Sequence, residues 1–328
     1  MSGELPTVSV AIWTCDQERF IGEAIESALE QDYSRLEVVV ADDHSRDSTP
    51  HIVADYAERY PDVVKPVLNT GSRSILTNVN RALAACNGEL VAILDGDDSY
   101  LPGKIEAQVR AFVEHPGLAL CHHPVELVDE AGTVLGIHDP LPHPVWTSAR
   151  DLVARGKFVA TASTMMRREA MPEGGVQPVA GHAPDWLLSI ETARNGPILR
   201  LPQALARWRR HRGQITAPKR GSEIVYEDAI RILGYVRARY PELADACIGG
   251  RRAAARWEAF RRWPSGDLAW TAAGLRRALR YAPRDPTLWR YVLALGLRWL
   301  AERIAGTPAP LAAGGRPESF SGSLHHSP

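Results

Sequence analysis

Residues 90–98 have the sequence LVAILDGDD, in which five apolar residues lead directly into an acidic turn. A short apolar run predicts a buried strand, so the carboxylates stand where that strand ends. Residues 38–43, VVVADD, repeat the arrangement earlier in the chain. Ligands bind outside the carboxyl ends of strands in open α/β sheets. Two acidic strand ends therefore predict a site for a cation or for polar hydroxyl groups.

Working outward from these two runs, the first part of the chain alternates strand and helix patterns. The predicted strands are 8–13, 36–41, 63–68 and 90–94, each followed by apolar residues at helical spacing. Further short strands are expected at 118–121, 125–128, 133–135, 159–166 and 198–201. This order predicts an α/β fold, a mostly parallel sheet with helices on both faces.

The character of the sequence changes after about residue 223, where every periodic segment is helical. At roughly 150 residues per domain, a chain of 328 residues has room for about two domains. We predict a first domain over 1–218, a C-terminal all-helical domain over 219–305, and a disordered tail over 306–328, which is rich in Gly, Pro, Ser and His.

Composition excludes several classes of protein. The 38 Lys and Arg nearly balance the 39 Asp and Glu, which argues against a nucleic-acid-binding protein. The four cysteines form no CxxC pair, which fits a reducing compartment and argues against a thiolate zinc site. The start of the sequence has no signal-peptide core, and no apolar run approaches the ~20 residues of a membrane span. We expect a soluble cytoplasmic protein.

The motifs that usually hold phosphate are missing. There is no GxxxxGK[ST] loop, and no GxGxxG follows the first predicted strand. If the site binds a diphosphate, a metal is then the expected neutraliser of its charge. Asp95 and Asp97 offer the oxygen ligands that hard divalent ions prefer.

The order and spacing of several short motifs resemble the family 2 glycosyltransferases, inverting enzymes with the A-type nucleotide-sugar (GT-A) fold. The resemblance covers about residues 7–216, and its motifs are VSVAIWTCD at 8–16, SALEQDY at 27–33, DDHSRD at 42–47, Asn80 before Gly88-Glu89, LDGDD at 94–98, MRRE at 166–169, PDW at 184–186 and WRRH at 208–211.

The resemblance implies a role for each matching residue. Asp43 is expected to receive the uracil ring, and Thr14 and Asp16 to contact the nucleotide. Asp97 matches the metal-binding carboxylate, and Asp95 is expected at the ribose or the metal. The remaining matches are Asn80 in the nucleotide site, His211 at the metal or diphosphate, and Asp185 as the general base.

The chain departs from the family pattern at two positions. Trp13-Thr14-Cys15-Asp16 stands where the family has Pro-Thr-Tyr-Asn, so we expect Trp13 to replace the tyrosine that stacks on the base. Val79 replaces an arginine that contacts phosphate, and Arg73 is the candidate to compensate. Arg209, Arg210 and His211 are expected at the diphosphate.

The function that the resemblance implies is transfer of a sugar from a UDP- or dTDP-sugar to an acceptor hydroxyl of a glycan, a lipid-linked acceptor or a natural product. Mn²⁺ or Mg²⁺ would stabilise the leaving diphosphate, and a carboxylate would accept the proton of the attacking hydroxyl. Two alternatives are a nucleotidyltransferase, which would need a Gly-rich loop after the first strand, and a catalytically inactive nucleotide-binding module.

Three other features have simpler interpretations. Cys15 is expected to be a small buried residue rather than a nucleophile. His122, His123, His138 and His143 match no zinc spacing, so we expect histidines at the surface or at a pocket rim. The helices after residue 223 are rich in Arg and Trp, which suits a packed domain with a charged face or a peripheral contact with an anionic membrane.

Overall fold

The computed structural model describes residues 4–71, 73–139, 145–156, 159–214, 220–262 and 268–305. These residues form two compact units. The first contains the described residues of Met1–Asp139, Pro144–Leu152 and Val159–Arg212, and the second those of Val153–Phe158 and Gly213–Pro328. The predicted boundary at Pro218 and the predicted tail at 306–328 lie outside the described residues.

Among the described residues, strands occur only in the first unit. In chain order they are β1 (Val8–Thr14), β2 (Leu36–Asp42), β3 (Val64–Leu68), β4 (Leu90–Asp95), β5 (Ser99–Tyr100), β6 (Leu120–His122), β7 (Val125–Val128), β8 (Val134–His138), β9 (Trp146–Thr147), β10 (Met165–Arg167), β11 (Ile198–Arg200) and β12 (Ala206–Arg209).

Helices occur in both units. In chain order they are α1 (Ile21–Leu29), α2 (Thr49–Arg59), α3 (Ile75–Ala85), α4 (Lys104–Glu114), α5 (Ala149–Arg155), α6 (Pro184–Ala193), α7 (Arg220–Arg239), α8 (Ala246–Arg262), α9 (Leu268–Tyr281) and α10 (Pro286–Ala305).

The larger sheet has eight strands in the order β3-β2-β1-β4-β10-β6-β11-β9. Its first four strands are parallel, and β1 lies between β2 and β4. Trp13 of β1 therefore pairs with Ala41 on one side and with Asp95 on the other. This register brings both acidic strand ends to the same edge of the sheet. The predicted mostly parallel α/β sheet with a helical C-terminal part is confirmed.

The core explains why these strands are continuous apolar runs. All seven residues of β1 are buried, because both faces of the strand are covered. Val10 and Ile12 of β1 belong to a core cluster with Ile21 and Ile25 of α1. This packing fixes the entry of the chain into α1, and with it the loop between β1 and α1.

A second sheet, β5-β12-β7-β8, stands beside the acidic turn. The turn at 95–98 runs into β5, where Tyr100 pairs with Ala206 of β12. β12 also pairs in parallel with β7. The sheet therefore brings the WRRH motif at 208–211 to the acidic turn, although neither β5 nor β12 was predicted from the sequence.

The prediction of a strand over 159–166 is wrong for its first part. The chain forms a 3-10 turn at Thr161–Ser163, and only Met165–Arg167 joins the sheet. The hydroxyl groups of Ser163 and Thr164 donate to the carbonyl of Ala160, at 2.6 and 3.1 Å. Such local bonds compete with a strand ladder.

All regular secondary structure in the described residues of the second unit is helical. Its core cluster combines residues of α8, α9 and α10, among them Ala255, Ala259, Leu275, Ala278 and Leu288. Within the part of the chain that the structure describes, none of the helices has the length and apolar content that crossing a membrane requires.

Candidate active site

The acidic turn after β4 is packed tightly against the loop after β1. A Cβ atom at Gly96 would lie 2.5 Å from Oε1 of Gln17 and 2.8 Å from Oγ1 of Thr14, so only glycine fits there. Thr14 in turn donates to Gln17 over 2.8 Å. On the same edge the indole Nε1 of Trp13 donates to Oδ1 of Asp95. Trp13, Thr14 and Asp95, all predicted site residues, are thus brought together.

Asp97 and His211 form one of the contacts between this turn and the WRRH motif. Oδ2 of Asp97 and Nε2 of His211 are 2.8 Å apart, and both side chains are about nine-tenths buried. The imidazole also lies against the ring of Phe20, with the ring centroids 4.9 Å apart. A carboxylate and an imidazole held together by packing make a preorganised pair of ligand atoms.

Arg209 holds the acidic turn in place. Its guanidinium Nε donates to the carbonyl of Asp97 over 3.0 Å, and its backbone amide donates to Oδ1 of Asp98 over 2.9 Å. One terminal nitrogen pairs with Glu23 at 2.5 Å, and the group stacks over Phe20. Arg209 is only 3% exposed. It therefore acts here as a structural clamp, whereas the sequence had suggested a diphosphate contact.

Three carboxylates are crowded into this turn. Burial, together with the neighbouring charges of Asp97 and Asp95, raises the pKa of Asp98 well above its usual value. The bonds from Arg209 act in the opposite direction. Because Asp98 accepts the backbone amide of Arg209, its function is to join the turn to β12. The more exposed Asp95 and the paired Asp97 are the carboxylates placed to meet a ligand.

Asp16 lies in the loop between β1 and α1, in the left-handed backbone region with φ of 51°. Both of its carboxylate oxygens accept bonds from Arg73, each of 2.7 Å, and one also accepts the amide of Arg46 at 2.7 Å. The hydrogen bond from Arg73 is the main reason that the pKa of Asp16 is lowered. The ion pair of Asp16 and Arg73 thus joins the loop between β1 and α1 to the loop between β3 and α3.

Asp43 stands at the end of β2 with 5% of its surface exposed. Its Oδ1 accepts bonds from Nδ2 of Asn69 at 2.9 Å and from the amide of Ser74 at 3.0 Å. Its own amide donates to the carbonyl of Thr14. The carboxylate predicted to receive the base therefore has a fixed orientation beside the β1 loop.

Asn80 is placed differently from the other predicted nucleotide contacts. Its Nδ2 donates to the carbonyl of Val176 at 3.0 Å, and its Oδ1 accepts the amide of Val176 at 2.8 Å. A side chain at Gly175 would collide with it. In this structure Asn80 ties down the loop that precedes α6, and a direct role at the nucleotide stays a prediction.

Asp185 is the second residue of α6, where the helix dipole favours a negative charge. Its Oδ2 accepts a 2.7 Å bond from the hydroxyl of Thr161. Thr161 lies in the turn before β10, which runs antiparallel to β4 with Met165 opposite Ala92. The turn is therefore at the carboxyl end of β4, which is the edge that carries Asp95.

The remaining sequence candidates are not arranged for chemistry. Burial raises the pKa of Cys15 to about 11, so the thiol is protonated near neutral pH and is a poor nucleophile. His122 and His123 are not at the surface, one of the two places expected for them, since they are 6% and 3% exposed. Burial lowers the pKa of His122 to about 4. His143 lies outside the described residues.

The side chains at this edge offer only part of the ligand set of the predicted divalent ion. No group of three His, Cys, Asp or Glu side chains is assembled for a metal among the described residues. The Asp97–His211 pair nevertheless supplies an oxygen and a nitrogen ligand, and Asp95 borders the same turn. Carboxylates suit Mg²⁺ and Mn²⁺, and imidazole suits transition metals. These residues fit a divalent ion, which would have to take its other ligands from substrate and water.

Sequence reasoning missed the residues that support the site. The clamp by Arg209, its stacking on Phe20 and the bond from Thr161 to Asp185 all join positions far apart in the chain. The arginine lies inside the quoted WRRH motif, so its presence was visible. No local pattern could show that it would be buried, and nothing in the sequence marks Thr161.

The fold and the edge of carboxylates define a nucleotide-sugar-binding α/β fold of the GT-A type. The family model for glycosyl transferase family 2 matches residues 9–174, and the chain belongs to this family. An uncharacterised protein of Mycobacterium tuberculosis is 34% identical over 209 residues. That alignment covers 62% of this chain and 59% of the relative, so the chain matches somewhat over half the length of this relative.

Two solved structures share the fold at low sequence identity. TarS 1-349 of S. aureus, in complex with UDP-GlcNAc, is 18% identical with a TM-score of 0.61, and 92% of each chain is covered. The mannosyltransferase PcManGT of Pyrobaculum calidifontis, in complex with GDP-Man and Mn²⁺, is 18% identical with a TM-score of 0.54. That match covers 93% of this chain and 84% of the mannosyltransferase.

Proposed function

We propose that this chain is a metal-dependent inverting glycosyltransferase that moves a hexose from a UDP- or dTDP-sugar to an acceptor hydroxyl. The observation that carries the proposal is the Asp97–His211 pair, 2.8 Å apart, at the sheet edge where both acidic strand ends meet. It unites two motifs that the family resemblance had assigned to the metal and diphosphate.

The nucleotide is proposed to lie along the carboxyl ends of β1 and β2. Asp43 has the fixed orientation that recognition of a base edge requires, and Thr14 and Asp16 border it. The Trp13 indole stands at the junction with Asp95. The complex of TarS with UDP-GlcNAc supports a uridine donor, whereas PcManGT with GDP-Man shows that the fold admits a purine. Asp43 is the residue on which the choice is proposed to depend.

Asp97 and His211 would hold the divalent ion, with Asp95 beside it. When bound, such an ion stabilises the charge that develops on the departing diphosphate. The protein's own contribution is to keep Asp97 in position, since Arg209 donates to its carbonyl and to the carboxylate of Asp98 in the same turn. The Mn²⁺ in the PcManGT complex supports this part of the proposal.

Asp185 is proposed as the base that accepts the proton of the acceptor hydroxyl. Thr161 donates to Oδ2, which orients the carboxylate. Its position at the start of α6 favours the ionised form. One displacement by an activated hydroxyl inverts the anomeric centre. Asp185 stands at the edge that carries the metal-site carboxylates.

For the acceptor, a glycan, a lipid-linked acceptor and a natural product share the attacking hydroxyl that Asp185 would activate. We propose a cytoplasmic enzyme that meets its acceptor at a membrane surface, through a peripheral contact of the arginine-rich helices of the second unit. The number of arginines on those helices supports this part.

The deciding experiment is a thermal-shift screen of UDP, dTDP and GDP sugars, each with Mn²⁺ and with excess chelator. A ligand at 100 times its Kd stabilises the folded state by about 2.7 kcal/mol. We expect a clear shift for UDP- or dTDP-sugars with Mn²⁺ and a small one in chelator. Equal stabilisation in chelator would overturn metal dependence. Release of pyrophosphate rather than nucleoside diphosphate during turnover would instead identify a nucleotidyltransferase.

A further inference from the structure

Helix α10 carries two apolar faces, and only one of them is buried in its own unit. Leu288 is fully buried and belongs to the core cluster with α8 and α9. Among the strongly exposed apolar residues of the helix, four define the second face: Trp289 at 53%, Leu293 at 66%, Leu297 at 61% and Leu300 at 48%. Their spacing of four, four and three residues places them on one side of the helix.

Arginines border this exposed stripe on both sides. At 3.6 residues per turn, Arg290 projects next to the Leu297 side of the stripe and Arg303 next to the Trp289 side. Both arginines are exposed. The guanidinium of Arg303 lies 4.6 Å from the ring centroid of Trp299, which is itself 50% exposed. An apolar stripe between two cationic borders is the pattern of a helix that lies in a membrane interface.

The charge of the helical region matches an anionic partner. Residues 220–305 contain sixteen arginines against nine aspartates and glutamates, whereas the rest of the chain has an excess of acidic residues. Arginine side chains can extend to lipid phosphates while their stems cover apolar surface, and tryptophan favours the same interface. A neutral apolar partner would gain no electrostatic attraction from the arginines on either side of the stripe.

We propose that the exposed stripe of α10, Trp289, Leu293, Leu297 and Leu300, is a membrane-binding surface that inserts into the headgroup region of an anionic bilayer. The inference deepens the proposed peripheral contact and rests on it for its purpose, since an enzyme that uses a membrane-borne acceptor must reach the bilayer. Twenty residues of helix span about 30 Å along their axis, so the helix would lie flat in the interface.

The test is sedimentation of the full chain with vesicles of phosphatidylcholine alone and of phosphatidylcholine with phosphatidylglycerol. We expect binding to the anionic vesicles and little to the neutral ones. The double variant Leu293→Glu, Leu297→Glu should lose binding by at least tenfold. The matched control is Ile137→Glu on β8, whose side chain is 56% exposed in the first unit, and it should bind like the wild type.

A second variant, Arg290→Gln with Arg303→Gln, removes only exposed charges. It provides an independent test if the leucine substitutions destabilise the protein. It should weaken anionic binding and reduce its dependence on salt. Vesicle binding that is absent in the wild type, or unchanged in both double variants, overturns the proposal. A dimer in light scattering that Leu293→Glu dissociates would assign the stripe to a second copy instead.

Nucleotide binding separates this inference from the proposed function. The UDP and Mn²⁺ thermal shift should be the same in the stripe variants as in the wild type, because the site residues all belong to the first unit. Vesicle binding without any nucleotide effect would contradict the proposed function alone. A normal nucleotide effect without vesicle binding would contradict the membrane surface alone.

Discussion

Asp97 and His211 are 114 positions apart in the chain, and yet Oδ2 of one and Nε2 of the other are separated by 2.8 Å. The two residues belong to motifs on different sheets, the turn after β4 in the larger sheet and the end of β12 in the smaller one. Pairing of β5 with β12 brings the motifs together, and Arg209 fixes their distance. The proposed metal site therefore depends on the contact between two sheets.

Replacing Asp97 with alanine should abolish the effect of Mn²⁺ on UDP binding and leave the fold intact. The residue lies on a turn at a strand end, and its side chain is a proposed metal ligand. We expect the Kd for UDP with Mn²⁺ to rise at least tenfold, to its value in chelator, by titration calorimetry. The control Asp55→Ala, an exposed carboxylate on α2, should keep the metal effect. An unaltered Mn²⁺ effect in Asp97→Ala would remove this residue from the metal site.

Replacing Arg209 with methionine should destabilise the first unit by about 1–3 kcal/mol, the cost of leaving the buried carbonyl of Asp97 without its donor. The carbonyl of Asp97 and the carboxylate of Glu23 both lose a donor. The control is Arg207→Met on the same strand, whose side chain is 39% exposed and pairs with Glu126. That change should cost less than about 1 kcal/mol.

Urea unfolding measures both variants of the Arg209 comparison. Arg209→Lys should recover little of the loss, because a single ammonium cannot reproduce the directions of a guanidinium. Equal stabilities of the Arg209 and Arg207 variants would show that the clamp contributes nothing beyond a surface ion pair.

Asp185→Asn should lower kcat by ~10²–10⁴, the usual contribution of a positioned base. An amide keeps the shape and accepts the bond from Thr161 but does not accept a proton. Binding of the sugar nucleotide should stay within twofold of the wild type, which calorimetry would measure alongside steady-state kinetics. Near-normal turnover would move the base elsewhere, with Glu191 and His182 as the next candidates. Loss of nucleotide binding would instead make Asp185 a structural residue of α6.

Thr161→Val tests how Asp185 is oriented. The substitution removes the hydroxyl donor at similar volume, so kcat should fall by a smaller factor than in Asp185→Asn. Thr161→Ser, which keeps the hydroxyl, should recover most of the rate. If Thr161 had only a structural role, Thr161→Val would lower stability, and kcat would not differ between the valine and serine variants.

Lys104 should make stability depend on pH above neutrality. The lysine is fully buried, donates to Gln108 over 2.7 Å and lies 4.0 Å from the centre of the Tyr100 ring. Burial lowers its pKa to about 7 from the value of 10.5 of a free lysine. Between these values the unfolded chain binds a proton that the folded protein does not, so the free energy of unfolding rises with pH.

Compared with Lys104→Met, the wild type should therefore gain on the order of a few kcal/mol between pH 7 and pH 10. Cys121 and His123, whose pKa values burial raises to about 12 and lowers well below the usual value, are present in both proteins, so their contributions cancel in this difference. Urea unfolding of both proteins across the window is the measurement. As a control, Arg110→Met on the exposed face of α4 should differ from the wild type in free energy of unfolding by the same amount at every pH. If the free energy of unfolding of Lys104→Met changed with pH in parallel with that of the wild type, the prediction would be wrong.

The strands that could be predicted from the sequence are those buried on both faces, because such burial requires a continuous run of apolar residues. The runs at 8–13, 36–41 and 90–94 became central strands because a strand covered on both faces is apolar throughout. The stripe of α1 and the helices of the second unit were visible for the related reason that one helical face is buried. The two short strands β5 and β12 have too few residues to show any period, and the sequence did not reveal them.

The sequence by itself determined the alternating α/β order, the two acidic strand ends and the motifs that place the chain in its family. These follow from the period of apolar residues and from residue types at fixed spacing, which are local properties. Only the tertiary structure decided that Arg209 clamps the acidic turn, that Asn80 binds the loop before α6, and that Thr161 orients Asp185. Each of these bonds joins residues at least 24 positions apart, so which groups pair depends on how the sheets and loops pack, and no local pattern records it.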